Sequence, residues 1–398
     1  MIKKTIWTGL LGLSLTTQAL TLDEALTKAL EQSPELRAAR AEAQAAEVGV
    51  ALSTLWQNPE LDVEAEGIGG DNNGVDSAEY TVLISQEFPL FGKLRKSRAV
   101  ADYAAEAARI EVSQTGLDFE AVVRQAFVDL QAGEILLNVR AQQVLLAEDF
   151  LKTAQARHEA GAASEIEVLR AEMELDENRG EQLAAEKIVG AVRNRLARLT
   201  GFPALGEIEG DFFQPLENPV GMFLAESHPA LRLFQTLEKQ ADAELVREQA
   251  ERIPNLTVSA GSRYEEDGGV QTYLFGVGIP LPLFNRGQTG SAAASFRAEA
   301  ARAETETVRR ALERELDALI VDFETASAEA FRIREVLLPK AERAAELSRE
   351  GYASGRYGWL EWIEMQKMLE DARIQAVEAQ HAAWTAHIEL SKFKNGEE

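Results

Sequence analysis

The sequence predicts a mainly α protein with a pair of β-hairpins: long helices forming an α-helical barrel, below a transmembrane β-barrel that several copies must share. Three observations carry this prediction. The chain repeats itself at an offset of about 195 residues, which marks a duplicated half and not a solenoid. Each half contains two segments that alternate apolar and polar residues, and each contains a long Ala- and Glu-rich stretch poor in proline.

Composition narrows the function classes first. Of 398 residues, 45% are hydrophobic, enough for a core, and none is cysteine, which excludes disulfides, thiolate metal sites and Cys nucleophiles. A formal charge of -25 opposes nucleic-acid binding, because phosphates would be repelled. At the N-terminus, Lys3 and Lys4 precede an apolar run from Ile6 to Leu15 and a small-residue site at Thr17-Gln18-Ala19, so residues 1–19 read as a secretory signal peptide. No later segment has the ~18 apolar residues of a spanning helix, so any membrane span must be made of strands.

The first repeat occupies 20–200, an irregular Gly- and Pro-rich linker 201–221, and the second repeat 222–398. Ser33-Pro34 reads as the N-cap and N1 of a first helix running to about Trp56 and stopped by Asn58-Pro59; its echo is His228-Pro229. Glu60, Asp62, Glu64 and Glu66 then alternate with Leu61, Val63 and Ala65. After the turn cluster Gly69 to Gly74, a return strand near Ala78 to Phe88 sets Tyr80, Val82, Ile84 and Phe88 against Thr81, Ser85 and Glu87. The second copy sets Leu256, Val258, Ala260 and Tyr264 against Thr257, Ser259 and Arg263, and returns with Tyr273, Phe275, Val277, Ile279 and Leu281 on one face. Strands of about ten residues with one apolar side suit a membrane barrel whose acids face the lumen, and Tyr80, Phe88, Phe91 and Phe284 sit where an interfacial aromatic girdle would lie.

Lys93 to His158 contains no proline and predicts a rod of roughly 100 Å at 1.5 Å per residue. Its counterpart runs from Arg286 to about Gly351, with a kink at Pro339. Two turns follow the rods. Arg157-His158-Glu159-Ala160-Gly161 breaks the first, and Ser164 with Glu167 reads as a capping box restarting a helix; Gly355 breaks the second. Four strands cannot close a barrel, and open edges in lipid cost several kcal/mol per unpaired group, so at least two copies, or three with a wide pore, must share one barrel.

The duplicated half, the hairpins ending in FPLFGK and LPLFNRG, and the paired turn motifs resemble the outer-membrane efflux channel family, the TolC-like outer membrane factors, over about Leu22 to Lys394. The Gly92-Lys93 pair after the first hairpin is most similar to the heavy-metal branch. The resemblance implies a homotrimer with a shared twelve-stranded barrel in outer-membrane lipid. It also implies partners: a periplasmic adaptor (membrane fusion protein) and an inner-membrane pump of RND type. The channel would be a passive export duct, with heavy-metal cations as one class of cargo.

By the same resemblance, Arg157, Gly161, Val168, Leu169, Gly355, Leu360 and Ile363 would form the adaptor-docking tips, and Tyr352 and Arg356 would hold the entrance shut through polar links between helices. Glu361 and Glu364, three apart on one helical face, match the paired acids lining that entrance, where they would favour cations. Glu stands there in place of a shorter Asp. Many members carry a lipidated Cys that this chain lacks, so anchoring is expected to rest on the barrel. His158, His228, His381 and His387 have no metal-ligand spacing, and the carboxylates form no catalytic constellation; neither an enzyme nor a cofactor is expected. A periplasmic adaptor would lack two equivalent membrane-type hairpins, and a secreted coiled-coil protein would have no use for them.

Overall fold

A computed structural model describes residues 19–68, 74–75, 77–216 and 225–394. The signal segment through residue 18, most of the first hairpin turn and the end of the linker lie outside the described residues. The order is α1 (Leu22–Gln32), α2 (Pro34–Leu52), β1 (Glu60–Glu66), β2 (Glu79–Phe88), α3 (Lys93–Glu159), α4 (Glu165–Thr200), α5 (Pro229–Glu251), β3 (Leu256–Glu265), β4 (Val270–Gly278), α6 (Gln288–Arg332), α7 (Leu338–Ala353) and α8 (Trp359–Ser391). The chain divides into two compact units, and each draws on both sequence halves.

One unit contains the sheet, α2, α5 and parts of α3 and α6. The four strands lie in the order β1-β2-β3-β4, antiparallel throughout, so the two hairpins join along β2 and β3. Register aligns the alternations. Val63 faces Val82, Val82 faces Ser262, and Ser262 faces Tyr273, while Leu61 leads through Ile84 and Ala260 to Phe275. Because side chains alternate with period two, the other face collects Glu60, Asp62, Glu64 and Glu66 opposite Ser85, Leu83, Thr81 and Glu79. On that same face Arg263 reaches Glu79 at 3.1 Å and donates to the Thr81 hydroxyl at 3.1 Å. The apolar face stays uncovered: Phe275 is 86% exposed and Val63 70%. The outer edges of β1 and β4 pair with nothing among the described residues.

The other unit is helical. Its core packs Ala25 and Ala29 of α1 against Val123, Phe127 and Leu130 of α3 and Val189 and Leu196 of α4. The buried residues of α3 recur at three- and four-residue spacing, as a helix with one packed face requires: Val123, Phe127 and Leu130, then Val144, Ala147, Phe150 and Ala154. The segment after α4 is irregular yet pinned. Leu20 pairs with Ile208 as a parallel bridge, and Trp384 donates to the Phe212 carbonyl at 2.9 Å.

Three expectations change. A separate helix, α1, precedes Ser33, and its N-terminus carries a complete capping box of Thr21 and Glu24. Helix α2 stops at Leu52, short of Trp56, because the hydroxyls of Ser53 and Thr54 turn back onto the carbonyls of Val50 and Ala51. Pro339 produces a π-helical turn at Ile333–Leu337 upstream of itself: the proline has no N–H, and Leu338 N–H bonds the Ile333 carbonyl five residues back. At His228 the expected cap is realised through a ring nitrogen, which accepts from Ala230 N–H at 3.2 Å with Pro229 following.

Candidate functional site

Both turns belong to the helical unit and close with one backbone device. At the first, Gly161 N–H bonds the His158 carbonyl and Ala162 N–H the Arg157 carbonyl, each at 2.8 Å. At the second, Gly355 N–H bonds Tyr352 at 3.0 Å and Arg356 N–H bonds Gly351 at 2.8 Å. These are two Schellman ends, and each needs a left-handed residue that glycine supplies at φ 72 and φ 71. The restarts differ. Ser164 caps α4 by accepting from Glu167 N–H at 3.4 Å, half of the expected capping box, whereas α8 starts at Gly358 with no side-chain cap.

The turns meet through side chains. The Arg157 guanidinium donates to the Tyr352 hydroxyl and lies 5.4 Å from its ring centre. Tyr352 stacks on Trp362 at 4.7 Å and 14°, and Phe150 of α3 meets Trp362 at 4.0 Å and Trp359 at 5.2 Å. Residues of α3, α7 and α8 are thus held in one aromatic cluster. Trp362 is 7% exposed, and its indole N–H has no acceptor among the described residues, a group whose burial unpaired costs about 1–3 kcal/mol. Neither tryptophan figures among the sequence candidates. The signal was available, since Trp359 and Trp362 are three apart on one helical face.

Of the remaining candidates, Ile363 lines a cavity with Phe150 of that cluster. Among the described residues the Arg356 side chain donates to its neighbour Ser354, at 3.0 Å. Glu361 and Glu364 are exposed and make no ion pair among the described residues. Leu169 and Leu360 project apolar surface into solvent, at 52% and 66% exposure; Val168 and Ile363 are half-buried.

Farther along the same unit, two ion clusters tie α3 to α8. Burial alone would raise the Asp129 carboxyl, but hydrogen bonds from His381 at 2.8 Å and Gln125 at 2.7 Å, with the charges of His381 and Arg195, outweigh it and hold it below the ordinary carboxylate range. Burial raises Glu370, with Glu181 and Asp371 adding to the rise, and its ion pair with Arg140 only partly offsets this. Among the described residues no group of three or more His, Asp or Glu is arranged to hold a metal ion, and no helix is long and apolar enough to cross a membrane.

An uncovered apolar sheet face, two open edges and duplicated helical turns describe a membrane-barrel protomer. The family described as outer membrane efflux protein matches residues 25–202 and 224–396. The chain belongs to that family. Its relatives include the nickel-cobalt-cadmium resistance protein NccC of Alcaligenes xylosoxydans xylosoxydans, 27% identical over 71% of this chain and 66% of that protein. The cobalt-zinc-cadmium resistance protein CzcC of Cupriavidus metallidurans is 25% identical over 89% of this chain and 85% of its own length. The fold is shared with the crystal structure of CusC, with a TM-score of 0.81 at 15% identity over 94% of this chain and 92% of that one. As a member of this efflux family, the chain is a TolC-like channel protein of the outer membrane, with a β-barrel and a periplasmic helical extension.

Proposed function

We propose that this chain forms, as a homotrimer, the passive outer-membrane duct of a tripartite efflux system exporting divalent transition-metal cations. The observation that carries the reading is the sheet: four strands with one apolar face and two unpaired edges, complete only when copies pair β1 to β4. Three copies give twelve strands, with Glu60, Asp62, Glu64 and Glu66 lining a negative lumen.

The turns are the lower end of the duct. Exposed Leu169 and Leu360, with Arg157, Gly161, Val168, Gly355 and Ile363, form the tips that meet a periplasmic adaptor, which links the channel to an RND-type inner-membrane pump. Glu361 and Glu364, exposed and without an ion pair among the described residues, ring the entrance and concentrate cations there. The contact between Arg157 and Tyr352 and the Trp362 stack hold α7 and α8 against α3, closing that entrance; Arg356 exchanges its Ser354 contact for one with a neighbouring copy. The chain energises nothing, and cargo selection lies in the pump.

The relatives' names support metal cargo, and growth tests it: cells lacking this chain should lose resistance to cobalt, nickel, zinc or cadmium salts. Sensitivity to dyes, detergents and antibiotics with unchanged metal tolerance would overturn the cargo. For the entrance, Glu361→Ala combined with Glu364→Ala should lower cation selectivity in planar-bilayer recordings, and an unchanged reversal potential would remove these acids from the pore.

A further inference from the structure

The sheet unit carries a basic surface that efflux does not use. From Phe88 to Ala101 the chain reads FPLFGKLRKSRAVA, with Lys93, Arg95, Lys96 and Arg98 and no acid, in a protein with 66 acids and 41 basic residues. These cations open α3, whose first turn holds no acid at all, the reverse of what the positive end of a helix dipole favours. Lys93 is neutralised by Glu251 at 3.0 Å and Arg98 lies 3.6 Å from Asp102, but Arg95, Lys96 and Lys239 of α5 have no ion pair among the described residues. The three line one groove of about 460 Å³ between α3 and α5, with Tyr103 and Val246 as its aromatic and apolar wall. Its single acid, Asp242, is already held by Arg302 at 2.7 Å.

Position along the chain says what this groove meets. It begins seven residues beyond the end of β2, just past the apolar belt where the strands run into helices. There Trp56 packs edge-on against Phe88 at 5.3 Å, and Phe91, Leu281 and Phe284 are exposed, Phe284 at 94%. Exposed aromatics mark the edge of the hydrocarbon layer, so Arg95 and Lys96, immediately beyond them, lie at headgroup depth, while Lys239, twelve residues before the end of α5, closes the periplasmic end of the groove.

We propose that the groove lined by Arg95, Lys96 and Lys239 binds the phosphate of an anionic phospholipid in the periplasmic leaflet of the outer membrane. Tyr103 and Val246 would flank the headgroup on the helical side, away from the acyl region. The lipid supplies the counter-charge that the first turn of α3 lacks and holds the α3 and α5 ends of the sheet at a fixed depth. This rests on the outer-membrane placement, and is independent of the cargo and of the tips.

The full chain, purified in neutral detergent and reconstituted in phosphatidylcholine nanodiscs, tests it; insertion into that neutral bilayer checks the membrane placement separately. Native mass spectrometry and thermal unfolding with added phosphatidylglycerol should show retained lipid and a higher melting temperature. In Arg95→Gln/Lys96→Gln/Lys239→Gln the apparent affinity should fall about fivefold per cation lost, with the melting temperature in phosphatidylcholine unchanged. The variant Lys152→Gln/Lys187→Gln/Lys340→Gln, equal in charge change but outside the groove, should keep the full response. The proposal is overturned if the groove variant binds phosphatidylglycerol as the unaltered chain does, if the control variant loses as much, or if inorganic phosphate alone gives the same thermal increment.

Discussion

The two turns share a backbone and differ in what that backbone presents. Both end a long helix with a glycine near φ 70 and the same pair of hydrogen bonds. The first then restarts on a capped helix end whose apolar side chains, Ile166 and Leu169, face solvent. The second restarts uncapped, on two tryptophans packed against Phe150 and Tyr352. Duplication preserved the chain reversal, which depends on one residue type at one position, and left free the side chains that decide whether a hairpin is fastened to its neighbour.

The sharpest break in that comparison is Trp362→Ala against Val168→Ala, its counterpart in the first copy. Emptying the stacked, buried site should cost about 3–5 kcal/mol, against about 1 kcal/mol at half-buried Val168. Hydrogen exchange in the first turns of α8 and α4 measures both, and equal acceleration would mean that the aromatic cluster fastens nothing. Next, Arg157→Ala removes a charged hydrogen bond worth about 1.5–3 kcal/mol, and Tyr352→Phe should lose a similar amount while keeping the stack. Both should raise single-channel conductance, and conductance at the level of the unaltered channel would separate this contact from closure.

Where the turns are alike, the outcomes should be too. Gly161→Ala and Gly355→Ala meet no atom within 4 Å, so each should lose only about 1–2 kcal/mol of left-handed strain; a twofold disparity in the measured loss would show that one turn is held from outside. Ser164→Ala should cost about 1 kcal/mol at the first turn alone, read as fraying of α4 by exchange.

The smallest effects are expected from pH, and they have opposite signs. Asp129 is depressed, so its stabilisation is present above its unfolded pKa near 3.8 and is lost as pH falls through its lower folded value. Glu370 is raised, so its contribution is present below its unfolded value near 4.5 and is lost as pH rises through the higher folded one. Accordingly Asp129→Asn should lower thermal stability at neutral pH, with the deficit closing in strong acid. Glu370→Gln should raise stability at neutral pH relative to acid. A Glu370→Gln profile parallel to the unaltered chain would show that Arg140 fully offsets the burial.

Much of this architecture was legible because it follows from periodicity. Alternation gave β1 to β4 and their two faces, and the absence of proline gave α3. Glycine spacing located the turns, since a left-handed helix end tolerates few other residues. Helix α1 was hidden by Ser33-Pro34, a good helix start that also permits an earlier helix to finish at the same place, although Thr21 and Glu24 spelled its cap. The end of α2 depended on hydroxyls bonding backward, which composition does not reveal. The Trp362 stack was beyond reach for another reason: its partners, Phe150 and Tyr352, are about 200 residues apart, and no local pattern joins them.

The interleaving of the two units bears on how the protein is made. The described parts of the helical unit come from residues up to Ser33, from Leu117–Gly221 and from Asp317–Lys392, and the sheet unit fills the gaps. Neither can finish folding while the chain is still being delivered from its N-terminus, because each waits for a segment of the second half. Strands β1 and β2, apolar on one side, must wait for β3 with their edges open, which is the state most exposed to mispairing. A chain that crosses one membrane to build a pore in another therefore spends its journey unable to bury its own sheet, and its yield should depend on holdase capacity in the compartment between them.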